Sequence, residues 1–204
     1  MGRREVATMK MTAPSYPART GVWIGIATIT MSFAAYTSAL IVRQSSGGDW
    51  QHVALPSILY ANTLLLLASS GTLEAGRRRL EAAWTADPAG NGHGMRNESQ
   101  GRRWLSVTMA VGLLFIAGQI TAWRALAAEG LFLATNPASD FFYILTALHG
   151  LHLLGGVLAL GYVMARLRPS DDVPPRAALS AASLYWHFMT VLWLYLLLVL
   201  TTRL

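Results

Sequence analysis

Five apolar stretches without Asp, Glu, Lys or Arg occupy residues 21–42, 53–73, 104–123, 141–165 and 177–202. Each reaches the roughly 20 apolar residues that an α-helix needs to cross a bilayer. Lipid offers no water to a peptide group, so a segment that crosses it must satisfy its own N–H and C=O groups. The pattern predicts an all-α polytopic membrane protein, a bundle of five transmembrane helices. Residues 1–20 form an N-terminal arm and residues 21–204 the five-helix membrane domain. Charged residues make up 13% of the 204, against about 25% in soluble domains. The first stretch is too long for the core of a signal peptide and is expected to stay as a helix.

The net charge of +6 belongs to the links between stretches. It therefore points away from nucleic acid and toward membrane orientation. One side holds the arm, the long link 74–103 and the link before the fifth stretch. It carries 13 basic residues: Arg3, Arg4, Lys10, Arg19, Arg77, Arg78, Arg79, Arg96, Arg102, Arg103, Arg166, Arg168 and Arg176. The other side has 3, namely Arg43, Arg124 and Arg203. Basic residues favour the cytoplasm, so the N-terminus is expected inside and the C-terminus outside. With no cysteine, disulfides, iron–sulfur clusters and thiolate metal sites are excluded. Pro56 falls in the first turn of the second stretch, where a missing N–H costs little. Asp87, Pro88, Gly90, Asn91, Gly92 and Gly94 read as turn or loop, and Pro174-Pro175 as a break before the last stretch.

The polar residues inside the stretches are few. Asn62, Thr63, Ser69, Ser70 and Thr72 lie in the second, and Gly112, Gly118 and Gln119 in the third. The fourth holds Gly150, Gly155, Gly156 and Gly161. Small residues let membrane helices approach closely, and amides and hydroxyls bond across the contact. That reading competes with a polar pathway for protons or ions. Such a pathway usually shows a buried acid or base in mid-span, and no stretch has one.

Three histidines fall within the last two stretches. His149 and His152 are three apart and share a helix face, while His187 comes from the fifth stretch. Counting about 1.5 Å per residue from the stretch ends puts His149 and His187 both near mid-membrane. Histidine ligates haem and copper, so a haem between these helices is one reading. Buried imidazoles bonded to Ser, Thr or Tyr of a neighbouring helix are the other.

Around these residues the chain resembles subunit III of the haem–copper terminal oxidases, in its short five-helix form. The resemblance rests on Gln119-Ile120-Thr121-Ala122-Trp123-Arg124 and on Asn136-Pro137-Ala138-Ser139-Asp140-Phe141-Phe142-Tyr143. It continues in His149-Gly150-Leu151-His152 with Gly155-Gly156, and in Tyr185-Trp186-His187-Phe188 with Trp193. Leu55-Pro56-Ser57 with Asn62-Thr63 and Ser69-Ser70 adds a further match. The resemblance implies a non-catalytic subunit without cofactors, packed on a subunit I that holds haem and copper, beside the other oxidase subunits and phospholipids. His149, His152, His187, Gln119 and Asn62 then become helix-packing residues. Arg166 falls where the family meets a lipid phosphate, and Arg77 and Arg78 end their stretch on that same side. Two positions depart from the family pattern: Ile29 and Thr190 stand where many members carry acids. Two other readings stay open. One is the accessory membrane protein of a nitric oxide reductase system, and the other a free-standing haem-binding membrane protein.

Overall fold

The computed structural model describes residues 16–85, 93–133, 135–167 and 175–204. The described residues form five α-helices: α1 Tyr16–Ser46, α2 Ile58–Thr85, α3 His93–Ala128, α4 Pro137–Arg166 and α5 Arg176–Arg203. No strand occurs among the described residues. Among the described residues, four helices are long and apolar enough to cross a membrane: Thr20–Ser46, Gly94–Ala128, Pro137–Arg166 and Arg176–Arg203. The remaining helix, α2, is less apolar. Asn62, Thr63, Ser69, Ser70 and Thr72 dilute it, and charge begins at Glu74.

Two sequence expectations are corrected here. Pro56 lies outside α2, in an irregular segment before Ile58. That segment is held by tertiary bonds, from Val53 N–H to the Leu204 carbonyl at 2.8 Å and from Asn136 Nδ2 to the Gln51 carbonyl at 2.8 Å. The long link is mostly helical, because α2 runs to Thr85 and α3 begins at His93. Gly94 is thus a helical residue rather than a turn. Asp87, Pro88, Gly90, Asn91 and Gly92 lie outside the described residues, as do Arg3, Arg4, Lys10, Arg168 and Pro174. The physical reason is charge spacing. Arg77 pairs with Glu74 and Glu81 three and four residues away, which supports helix beyond the apolar stretch.

The α4 N-terminus shows how local sequence sets an end. Asn136 caps it, its Oδ1 accepting from Ala138 N–H at 3.1 Å, and Pro137 follows where no N–H is needed. Asp140 in the first turn and Arg166 in the last match the helix dipole. At the end of α3, Gly130 takes φ +82°, a left-handed conformation that glycine adopts without cost.

Among the described residues, α2 and α3 form the tightest pair, while α1 runs along α5 and α4. The core between α2, α3, α4 and α5 is built on Trp186, Trp193, Phe115 and Phe142, all buried. Large apolar side chains such as Ile24, Leu64, Leu151, Leu158 and Leu198 remain exposed on the outside. That surface suits lipid or a partner rather than water.

Candidate functional site in the helix bundle

Tryptophan indoles and short hydroxyls stitch the bundle together. Trp186 Nε1 donates to Ser69 Oγ at 3.1 Å, Trp193 Nε1 to Thr63 Oγ1 at 2.9 Å and Trp123 Nε1 to Thr146 Oγ1 at 3.0 Å. Trp186 and Trp193 lie seven apart on α5 and face partners six apart on the antiparallel α2. Sequence reasoning quoted all four residues without pairing them. Their matched spacing was the signal available.

His149 is fully buried, with Phe115 at 5.8 Å and Trp193 at 5.0 Å between ring centroids. Neither of its ring nitrogens has a hydrogen-bond partner among the described residues. The same holds for both amide atoms of Gln119 and for Asn62 Nδ2. Phe115, Gln119 and Trp123 recur every four residues along one face of α3. Phe115 touches His149 and Trp123 bonds Thr146, so Gln119 lies on the same face of α3, between those two contacts in the chain. Asn62 lies against Gly118, where any Cβ would collide with its amide.

The two histidines of α4 diverge. His152 Nδ1 bonds its own helix at the Leu148 carbonyl, 2.7 Å away, and its ring packs edge-on against Phe33 of α1 at 5.9 Å. Three residues turn a helix by 300°, so neighbours on one broad face still reach different helices. The two imidazoles share that broad face but meet different neighbours. Ile29, one turn from Phe33, is buried in the same apolar contact. Thr190 bonds its own helix at the Trp186 carbonyl, 3.2 Å away.

His187 is also not where the stretch ends suggested. Its Nδ1 meets Ser70 Oγ at 2.5 Å and its Nε2 lies 4.0 Å from Glu74 Oε2. Trp193, the neighbour of His149, is six residues along α5, or about 9 Å at 1.5 Å each. His187 therefore sits at the level of the first charged residue of α2 and not at that of His149. The three imidazoles point to three different neighbours. Among the described residues no group of three His, Asp or Glu side chains could hold a metal ion. The arrangement does not fit a haem clasped between α4 and α5.

Glu74 organises the charged end of α2. Arg77 Nε and Nη2 each donate to its carboxylate at 2.8 Å, Arg78 Nε does so at 2.7 Å, and Arg77 Nη1 reaches Glu81 at 2.6 Å. The Arg77 hydrogen bonds, helped by Arg78 and opposed by desolvation, hold the Glu74 carboxyl down at about 2. Arg77 and Arg78 are thereby committed to carboxylates. Arg166, at the end of α4, donates from Nε to Tyr162 Oη at 3.2 Å and stacks over that ring at 5.6 Å. Beside Tyr162 lies an apolar groove of about 420 Å³ lined by Val22, Gly155, Ala159, Ala178 and Tyr185.

Long apolar helices, charge gathered at their ends and tryptophan–hydroxyl stitching define a multi-pass helical membrane protein. The family model described as cytochrome c oxidase subunit III matches residues 25–202, from α1 to α5. The probable cytochrome c oxidase subunit 3 of Mycobacterium bovis is 34% identical over 168 residues, covering 80% of this chain and 75% of that one. The cytochrome c oxidase subunit 3 of Corynebacterium diphtheriae is 31% identical over 172 residues, 80% and 77% of the two chains. That of Thermostichus vulcanus is 28% identical over 190 residues, 90% and 87% of the two chains. The chain belongs to the cytochrome c oxidase subunit III family, whose members are subunits of an oxidoreductase complex.

Proposed function

We propose that the chain serves as the non-catalytic subunit III of a bacterial respiratory oxidase, packed on a subunit I that carries the haem and copper. The observation that carries this reading is the family match across all five helices, residues 25–202. All five helices cross the inner membrane in this reading. The polar residues that dilute α2 include Asn62, Thr63 and Ser69, which are buried in the bundle and not offered to lipid. Two contacts support the orientation. Arg102 donates to the Leu167 carbonyl and Arg176 to the Trp84 carbonyl, which gathers one end each of α2, α3, α4 and α5. Arg77, Arg78, Arg79, Arg102, Arg103 and Arg166 share that end, which faces the cytoplasm. Arg43, Arg124 and Arg203 mark the periplasmic end.

Phospholipid is the second ligand of this reading. Arg166 offers a guanidinium to a phosphate, and the apolar groove beside Tyr162 takes an acyl chain. Arg77 and Arg78, paired with Glu74 and Glu81, add positive field at that end beside Arg166. His149, His152, His187, Gln119 and Asn62 act in packing. The test is a visible spectrum and a lipid assay on the same preparation. The isolated chain should show no Soret band, and Arg166→Ala in the oxidase should lower retained phospholipid while leaving membrane insertion intact. A stoichiometric Soret band lost in His149→Ala would overturn the cofactor-free reading. Unchanged lipid in Arg166→Ala would reduce Arg166 to an anchor.

A further inference from the structure

Three polar side chains lie in the bundle core with hydrogen-bonding capacity left over. His149 is 0% exposed, Asn62 1% and Gln119 3%. Both ring nitrogens of His149, both amide atoms of Gln119 and Asn62 Nδ2 have no partner among the described residues. Native interiors leave few such groups, and each one that remains needs an explanation.

Trp193 gathers the three helices at one level. Its ring lies 5.0 Å from that of His149 on α4 and 4.8 Å from that of Phe115 on α3, and its Nε1 donates to Thr63 Oγ1 on α2. Asn62 precedes Thr63 in the chain, and its amide occupies the space that a side chain at Gly118 would need. Gln119 follows Gly118 and stands about one helical turn after Phe115. Each unpartnered group is therefore within about one turn of a residue that touches Trp193. Apolar side chains bound this layer on both sides. Leu59 and Leu66 do so on α2, Leu145 and Leu153 on α4, and Met189 and Leu196 on α5, all 0% exposed. A polar layer bounded in this way is a site and not a route across the bundle.

The chemistry of the set selects its ligand. The amide N–H groups of Gln119 and Asn62 need acceptors, Gln119 Oε1 needs a donor, and a neutral imidazole needs one of each. An anion would serve only the N–H groups, and a metal cation only the lone pairs. Water both donates and accepts. We propose that internal water molecules bind in this layer, hydrogen-bonded to His149, Gln119 and Asn62, and join α2, α3 and α4. A buried water makes about 3 hydrogen bonds to such groups, so this set calls for about two. The site goes beyond the oxidase reading and does not depend on it.

The experiment uses the complex in which the full chain purifies, exposed to a brief X-ray pulse. Radiolysis turns water into hydroxyl radicals, which oxidise the side chains beside it, and mass spectrometry reads the label residue by residue. A scavenger in the bulk solvent removes radicals formed outside the protein. Phe115, next to His149, and Phe33, which faces His152, are equally buried and chemically identical. With scavenger present, Phe115 should keep its label and Phe33 should show almost none. In Gln119→Leu with Asn62→Leu, the Phe115 label should drop to the Phe33 level. Rapid mixing with heavy-oxygen water adds a measurement on wild type alone, which stands even where the double variant does not assemble. The Phe115 label should stay light while surface residues turn heavy. Phe115 labelled no more than Phe33 in wild type would mean a dry layer with the side chains bonded to one another, and would overturn the site. Wild-type labelling in an assembled double variant, or heavy oxygen on Phe115 as on the surface, would overturn it too.

Discussion

Gly112→Ala tests whether the bundle is held by close approach at Trp186. A Cβ at Gly112 would stand 2.7 Å from Trp186 Cη2 and 3.1 Å from Cζ2, with Val157 Cγ2 at 3.5 Å. The indole has little room to retreat. It is fully buried, its Nε1 is bonded to Ser69, and its far edge lies 3.3 Å from where a Cβ on Gly156 would be. An extra methyl in such a site costs about 1–3 kcal/mol through shifted backbone or distorted rotamers. At about 1.4 kcal/mol per factor of ten, that is roughly a 5- to 150-fold loss in the folding equilibrium. Two glycines serve as controls. Gly150 has nothing within 4 Å of its Cβ direction, and Gly155 meets only Tyr185 Oη at 3.8 Å. Unfolding in mixed micelles of sodium dodecyl sulfate and dodecylmaltoside, followed by far-ultraviolet circular dichroism, reads the three variants on one scale. Gly112→Ala should unfold at lower dodecyl sulfate than wild type, and Gly150→Ala and Gly155→Ala within experimental scatter of it. If Gly112→Ala behaved like Gly150→Ala, the packing account of α3 on α5 would be wrong.

Three further outcomes follow from bonds inside the bundle and at its charged end. Thr63→Val removes the acceptor of Trp193 Nε1; a double-mutant cycle with Trp193→Phe should give a coupling of about 0.6 kcal/mol, at most about 1.7. The Glu74 carboxyl is depressed to about 2 from 4.5; its contribution is complete above the unfolded value and is lost as pH falls from about 4.5 toward 2. Acid titration of the folded chain should therefore show wild type losing stability across that window and Glu74→Gln showing a flatter profile. Ser70→Ala leaves His187 without its closest partner; histidine chemical shifts should move for His187 and stay fixed for the fully buried His149.

Helix class was open to sequence reasoning because apolar length is a direct physical requirement of the bilayer. Helix ends were not. An uncharged count stops at Leu73, yet Glu74, Arg77 and Glu81 carry the helix on to Thr85 by local pairing. Pro56 was read as a first-turn residue because proline is at home there, while tertiary bonds to Leu204 hold its segment outside the helix. The depth of His187 was misjudged for a related reason. The first turns of α5 are apolar but run beside the charged part of α2, as Arg176 on the Trp84 carbonyl demonstrates. Apolar composition cannot separate a turn that faces lipid from one that packs on a neighbour beyond it. Gln119 and Asn62 stand out in the sequence as polar residues in apolar stretches, and both are buried in the bundle. Their lack of protein partners depends on rotamers and register that a linear pattern does not encode.

The central claim is that this chain is subunit III of a respiratory oxidase. The most direct measurement is purification through a tag on this chain in mild detergent, with haem, copper and iron quantified on the recovered complex. The account predicts a partner subunit I with two haems and copper, oxygen reduction by the complex, and no haem on the tagged chain once separated. Recovery of a copper-free partner that reduces nitric oxide, or of the tagged chain alone with its own haem, would contradict it.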